Sequence, residues 1–219
     1  MSRVVMAVVK VRALLIAAGD TDSLILQNLV SENILCVAID GGYHHCKKFE
    51  IIPDVVIGDF DSINKSLIDE RVLIVESQSQ NETDLVKALN WVISKGIKEV
   101  QIIGVESGRS DHILGVYAAL SELNQEEIKD IEIEVHLKDF IVKYIPNNNP
   151  KIFNLNEHTH VSLFCLSDSI VTLKGVKWTL NKEELKFSTR GIHNYSTKGE
   201  VEINIHAGGP ALFFINRKE

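Results

Sequence analysis

Cysteine is scarce in this chain: Cys36, Cys46 and Cys165 are the only three among 219 residues. Their number is odd, they lie far apart, and no C-x-x-C pair occurs, so neither a disulfide framework nor a structural zinc site is indicated. Cys36 falls inside the apolar run Ile34 to Ile39 and reads as a small core residue. A reducing, cytoplasmic compartment is the expectation. Basic residues also fall short, with 23 Lys and Arg against 30 Asp and Glu and a net charge of −7. A nucleic-acid binder needs a concentrated basic face to neutralise phosphates, so no nucleic-acid partner is expected. Long apolar runs are missing too. Val4 to Ala18 comes closest, but Lys10 and Arg12 interrupt it, whereas a signal sequence carries its charge before the apolar stretch. No other stretch approaches membrane-spanning length, and no membrane association is expected. Internal repeats, a Gly-x-Ser-x-Gly nucleophile elbow and a G-x-x-x-x-G-K-[ST] phosphate loop are likewise absent. Any nucleotide must therefore be held in another way.

What is present is an ordinary globular composition, 45% hydrophobic and 24% charged, in a chain long enough to bury a sizeable core. In the first half, Ala13 to Ala18, Ile34 to Ile39, Val55 to Gly58, Val72 to Val75 and Val100 to Ile103 are short, continuous and rich in β-branched residues, as strands buried on both faces are. Amphipathic stretches separate them. From Thr83, a plausible N-cap, Leu85, Ala88, Leu89, Val92 and Ile93 line one helical face, and Gly96 suits the exit. A second helix is expected from about His112 to Asn124, followed by a charged segment, Gln125 to Glu134, that suits a loop or a short helix. Beyond Phe140 the runs shorten, Val201 to Ile205 alternates with period two, and Pro146 to Pro150 is rich in turn residues. The expectation is an α/β domain over 1–138 with a mostly parallel, doubly wound sheet, then a small antiparallel β-sandwich over 139–219.

Ligands of parallel sheets bind beyond the carboxyl ends of the strands. Those ends carry Asp40-Gly41-Gly42, Asp59-Phe60-Asp61-Ser62, Gln80-Asn81-Glu82-Thr83-Asp84 and Gly108-Arg109-Ser110-Asp111-His112. Asp59 and Asp61, two apart in an extended segment, would project to one side, where two like charges repel unless a cation lies between them. Hard oxygen ligands suit Mg2+ shared with substrate phosphates, and Asp84 and Asp40 can reach the same point. The plainer alternative is that Asp59 and Ser62 cap a short helix near Asn64. Gly41, Gly42 and Gly108 precede helix-like stretches where backbone N–H groups can approach phosphate, and Arg109 can grip its oxygens in bidentate fashion; tight turns are the alternative. The eight histidines show no metal-ligand spacing.

Taken in order, Asp40-Gly41-Gly42, Pro53-Asp54, Gly58 to Ser62, Thr83-Asp84 and Gly108 to His112 closely resemble the motif set of the thiamine pyrophosphokinases. Val161-Ser162-Leu163 and Gly175 to Leu180 resemble the family's β-domain landmarks more weakly, so nearly the whole chain is covered. The resemblance implies an α/β catalytic domain, a thiamine-binding β-sandwich, and a homodimer with active sites between subunits. It also implies Mg2+ on Asp59, Asp61 and Asp84, and nucleotide contacts from Asp40, Gly41, Gly42, Arg109, Asp111 and His112. Substrate contacts would come from Gln80, His193 and Asn194. Two departures stand out: Asn81 where the family often has Asp, and His193-Asn194 where it has Ser-Asn. The reaction implied is transfer of the pyrophosphoryl group of Mg-ATP to the thiamine hydroxyl, giving thiamine diphosphate and AMP. The rival readings are a pyrophosphokinase for another hydroxymethyl heterocycle such as a pterin, favoured by His193, and a catalytically silent nucleotide- or thiamine-binding regulator, favoured by Asn81.

Overall fold

The computed structural model describes residues 10–77, 81–106, 109–197 and 199–217. In the first half the strands are β1 (Arg12–Ile16), β2 (Ile34–Ile39), β3 (Val55–Gly58), β4 (Leu73–Glu76), β5 (Glu99–Ile103) and β6 (Glu132–His136). The helices are α1 (Ser23–Leu29), α2 (Tyr43–Lys48), α3 (Asp84–Ser94), α4 (Ser110–Ser121) and α5 (Gln125–Ile128). The second half contributes β7 (Phe140–Ile145), β8 (Lys151–Asn154), β9 (His160–Cys165), β10 (Ser169–Lys174), β11 (Leu180–Leu185), β12 (Asn194–Tyr195), β13 (Glu200–Ala207) and β14 (Ala211–Asn216).

The expected α/β architecture is present. Six parallel strands lie in the order β6-β5-β1-β2-β3-β4, so the chain winds outward from β1 to β4 and then returns to β1's other side. The direction of winding therefore reverses between β1 and β2 on one side and β5 on the other, the place where open α/β sheets form a crevice. Local sequence builds these parts as the pattern predicts. The Thr83 hydroxyl accepts from Val86 N at 3.4 Å and caps α3, whose buried stripe is Val86, Ala88, Leu89 and Val92, and Gly96 leaves the helix at φ +78°. Ala88, Leu89 and Val92 of that stripe pack with Leu15, Val37, Val55 and Ile102 of the sheet. Each such side chain, fully buried, stabilises the fold by about 1.5–3 kcal/mol relative to exposure.

The second half differs from a free-standing sandwich. Strands β7, β14, β9 and β12 extend the parallel sheet beyond β6, each pairing antiparallel with the one before, giving one ten-stranded sheet, and β11-β10-β13-β8 form a separate leaf. Val161, Leu163, Phe213 and Ile215 of the long sheet meet Val171, Leu173, Val201 and Ile203 of the small one in a shared core. The join runs through β6, the alternating stretch that reads from sequence as part of a loop or helix. Its buried Ile133 and Val135 face inward, while Glu134 bonds Lys143 of β7 and lies 3.3 Å from His136 Nε2. Arg217 Nη2 donates to His136 Nδ1 at 2.6 Å and Nε to Leu137 O at 2.9 Å, clamping the end of β6. Strands β8, β11 and β12 are additions that the sequence pattern does not reveal. Cys36, Cys46 and Cys165 are all buried thiols, as core residues should be; a hydrogen bond with Cys46, aided by burial, raises the Cys36 thiol above its ordinary pKa.

Two outcomes follow from this packing. A Cβ at Gly42 would lie 1.9 Å from Ile16 O, whereas one at Gly115, within α4, would meet nothing within 4 Å. Gly42→Ala should cost about 3 kcal/mol through overpacking, and Gly115→Ala should gain about 0.5–1 kcal/mol; denaturant melts of the two variants give opposite signs if the packing is right. Burial pushes the Glu134 carboxyl up, but hydrogen bonds and charge from His136 and Lys143 outweigh it and hold it at about 2 instead of 4.5. A carboxyl depressed in the folded state stabilises above its unfolded pKa and loses that contribution as pH falls through the folded one. Glu134→Gln should therefore flatten the acid-side loss of stability between about pH 4.5 and 2, as read from urea melts across that window.

Candidate active site

The crevice at the strand-order reversal is a real cleft of about 250 Å³, lined by Ala17, Ala18 and Gly19 after β1, Asp40 and Gly41 after β2, and Gly104 and Val105 after β5, with Asp84, Leu85, His112 and Val116 closing it from α3 and α4. The structure thus brings together four of the residues singled out from sequence: Asp40, Gly41, Asp84 and His112. The loop after β1, which is not among the strand ends singled out from sequence, forms one wall.

The sharpest feature is a group of three carboxylates. One oxygen each from Asp40, Asp59 and Asp61 lies within 4.8 Å of the others. Asp59 and Asp61 converge, but not by extended geometry. Phe60 between them is left-handed at φ +63° and its side chain is buried, and Asp59 Oδ1 accepts from Asp61 N at 3.2 Å, folding the segment into a tight turn. The capping alternative is not realised: the short helix Lys65–Leu67 is capped by Asn64, whose side chain accepts from Ser66 N. Asp40 sits at φ +39°, and its Oδ1 is buried with no hydrogen-bond partner. An orphaned buried carboxylate oxygen costs free energy unless something charged or donating meets it. Among the described residues, no Lys or Arg forms an ion pair with any of the three acids. A hard divalent cation fits this donor set.

Asp84 takes a different local partner. Its Oδ1 accepts from Lys87 Nζ at 2.9 Å, and the same ammonium donates to Ser77 O at 3.2 Å, so a largely buried lysine holds this carboxylate on the cleft wall. Arg109 and Asp111 also hold each other, through Nε–Oδ1 at 3.1 Å and Nη2–Oδ2 at 2.7 Å; hydrogen bonding from Arg109 lowers the Asp111 carboxyl pKa. Both side chains are exposed at the start of α4 and neither lines the cleft. Gly42 belongs to packing, its Cα pressed on Ile16 O. Gly108 and Gln80 lie outside the described residues. Pro53-Asp54 lies at the opposite edge of the sheet, before β3, where Asp54 accepts from Cys36 N at 2.8 Å and Lys10 Nζ at 2.7 Å and so ties strands together.

His193 and Asn194 are elsewhere, at β12, the far edge of the long sheet. His193 is exposed at φ +56°, and its N–H donates to Ser162 Oγ at 3.2 Å. The buried Asn194 side chain accepts from Trp178 N at 3.1 Å and donates to Trp178 O at 2.8 Å, fixing the backbone under an indole that is 58% exposed and edge-on to Tyr195. An aromatic this exposed, held by a buried amide, is a signal that inspection of charged motifs alone overlooks. A second recess of about 320 Å³ lies between α4 and the sheet, where Leu114, Tyr117, Phe164, Phe187 and Phe214 leave an apolar surface open. Among the described residues no helix is long and apolar enough to cross a membrane.

Comparison with known proteins gives a consistent result. The family model described as thiamin pyrophosphokinase, catalytic domain, matches residues 26–132, and thiamin pyrophosphokinase, vitamin B1 binding domain, matches residues 149–208. The thiamine pyrophosphokinase of Bacillus subtilis (strain 168) is 31% identical over 178 residues, which cover 76% of this chain and 80% of that protein. Thiamine pyrophosphokinase 2 of Arabidopsis thaliana is 26% identical over 183 residues, covering 76% and 66% respectively. Among solved structures, the Bacillus subtilis thiamine pyrophosphokinase superposes with a TM-score of 0.74 at 24% identity, over 95% of this chain and all of that one. The Candida albicans thiamin pyrophosphokinase superposes with a TM-score of 0.76 at 16% identity, over 94% and 88%. These superpositions establish the fold.

The acid cluster predicts a thermal signature. With a chelator present, Asp61→Asn relieves repulsion and should melt no lower than the unsubstituted chain. Adding millimolar Mg2+ should raise the melting temperature of the unsubstituted chain, because a ligand that binds only the folded state stabilises it, and should leave the variant unmoved. Equal responses in both would remove Asp61 from the cation site.

Proposed function

The chain belongs to the thiamin pyrophosphokinase family and is a thiamine diphosphokinase, and from that premise we propose that its reaction takes place on the acid-lined cleft at the carboxyl ends of β1, β2 and β5. The observation that carries this reading is the convergence of Asp40, Asp59 and Asp61 around a buried, unpartnered carboxylate oxygen. Asp59 and Asp61 hold Mg2+, Asp40 joins them, and Asp84 faces the same cleft from α3. Mg2+ held by these residues would supply the positive charge that offsets the charge building on the phosphates during transfer.

The chain's own groups do the positioning, from which most of the acceleration of such transfers comes. Gly41 puts backbone rather than a side chain on the cleft wall, in a spot where a Cβ would press on Ala18 Cβ at 3.1 Å, and so lets a phosphate approach the β2 turn. Arg109, its guanidinium kept in a fixed plane by Asp111, is set to grip phosphate oxygens at the start of α4, and His112 lines the cleft beside it. The thiamine hydroxyl oxygen attacks the β-phosphorus and gives up its proton to a carboxylate of the cleft, the new O–P bond forms as the bond from the β-phosphorus to the α–β bridging oxygen breaks, and AMP leaves. On the acceptor side, Trp178 offers an aromatic face to the cationic thiazolium and the pyrimidine ring. Asn194 holds that tryptophan's backbone, and His193 immediately precedes it at the same edge strand.

A homodimer completes the site. From β12 to β3, whose end carries Asp59, there are eight inter-strand steps along the long sheet, and at about 4.8 Å each these amount to roughly 40 Å. One chain therefore does not bring its Trp178 and His193 to its own Asp59, whereas a second copy can lay its β-rich half over the first copy's cleft. The open apolar surface at Leu114, Phe164 and Phe187 supports such an assembly, because exposed patches of this kind mark interaction sites. A nucleotide and a small organic cation are then the expected ligands.

AMP release from ATP and Mg2+, with and without thiamine, together with the product mass, checks the whole reading. Thiamine-dependent AMP and a thiamine diphosphate mass are expected. Asp59→Asn should lower kcat by at least about 100-fold, the scale of losing one electrostatic stabiliser of a transition state. A near-normal rate from a folded Asp59→Asn protein refutes the role given to the cluster.

A further inference from the structure

His45 carries no role in the reaction as derived above, and its adjacency to His44 gives no sign of one in the sequence. In the structure its ring reaches back from α2 across the turn that bears Asp40 and Gly41. Nε2 lies 2.8 Å from Gly19 O and 3.4 Å from Ala18 O. A carbonyl can only accept, so this nitrogen carries the proton and donates. The ring is stacked on Phe49, with centroids 6.5 Å apart and planes at 15°, so it holds its direction toward that carbonyl.

The carbonyl it holds belongs to the wall of the cleft. Ala17, Ala18 and Gly19 line the side facing Asp40 and Gly41. The opposite flank of this loop is fixed by backbone bonds from Gly19 N to Gly104 O at 2.6 Å and from Asp20 N to Glu106 O at 2.7 Å. Gly19 has no room to move toward β5, because a Cβ there would meet Glu106 O at 2.4 Å and Gly104 O at 2.6 Å. Among the described residues two side chains donate to the Gly19 carbonyl: the Thr21 hydroxyl at 3.3 Å, which belongs to the same loop, and the His45 ring, which comes from α2. The β1 loop is thus pinned on one side by β5 and on the other by a single imidazole rooted in the helix that follows the Asp40 turn.

We propose that His45 is a positioning residue for the nucleotide half of the reaction: its Nε2–H fixes the Gly19 carbonyl, and with it the distance between the β1 loop and the Asp40–Gly41 turn. The inference rests on the cleft being the nucleotide site. It does not make His45 a catalytic residue, since the ring does not line the cleft. The consequence is a selective one. Loss of the donor should loosen nucleotide binding while leaving the acceptor side, which is built from β12 and its neighbours, untouched.

The test is calorimetric binding of a non-hydrolysable Mg-ATP analogue to the full chain, paired with steady-state kinetics, for His45→Ala and His45→Gln. The glutamine amide can still donate to Gly19 O, so it separates the hydrogen bond from mere packing. His45→Ala should weaken analogue binding and raise KM for ATP by about fivefold, the scale of one net hydrogen bond, with KM for thiamine unchanged. His45→Gln should recover most of the loss. Binding and KM for ATP within twofold of the unsubstituted values in a folded His45→Ala protein would overturn the proposal. So would an equal loss in the Ala and Gln variants, which would assign His45 to packing alone. Failure of the unsubstituted chain to bind the analogue would instead refute the nucleotide site on which the inference stands, and the two failures are read from different samples.

Discussion

The turn after β2 presses directly on the end of β1. Gly42 sits so close to Ile16 O that a side chain there would lie 1.9 Å from it. Two residues before Gly42, Asp40 adopts a left-handed conformation and lies against the neighbouring strand end, where Gly58 leaves room for it: a Cβ on Gly58 would stand 2.9 Å from Asp40 Cβ. Asp59 and Asp61 then follow at the next strand end and meet it. Two glycines without side chains are what allow three carboxylates to share one point. The position of Gly41 on the cleft, the root of α2 and the reach of His45 across to Gly19 all derive from the same contact.

Charge in this region is arranged unequally. Asp84 is held by Lys87 and Asp111 by Arg109, so those acids have cationic partners within the chain. Asp40, Asp59 and Asp61 have none among the described residues, and part of Asp40 is buried. Like charges left uncompensated at close range destabilise the fold unless a ligand supplies the counter-charge. In the proposed function, the stability forgone locally leaves a place for a cation and its phosphates, and the continuous parallel core beneath, which includes Leu15 and Ile102, tolerates that cost.

The two halves are coupled by one sheet and separated by it. Glu134, His136, Lys143 and Arg217 secure the switch from parallel to antiparallel pairing at β6 and β7, so the β-rich half is an extension of the catalytic sheet. The same continuity carries His193, at the β12 edge, away from the acids at the ends of β2 and β3.

The sequence by itself determined the local parts. Continuous β-branched runs in 12–103 specify parallel strands, the Thr83 cap and spaced apolar positions specify α3, and acids at strand ends specify where chemistry can occur. These are readable because each depends on residues close in sequence and on a short period. Strand β6 was hidden because its alternation of Glu with Ile and Val resembles a charged loop until β5 and β7 pair with both its edges. Strands β8, β11 and β12 are short or charged and take their identity from partners far along the chain. Only the tertiary structure decided that Asp40 joins Asp59 and Asp61 while Asp84 turns to Lys87, that Gly42 serves packing, and that His45 faces Gly19. Each of these depends on which backbone lies within a few ångströms of which side chain, a distance set by strand order and packing that no local pattern encodes.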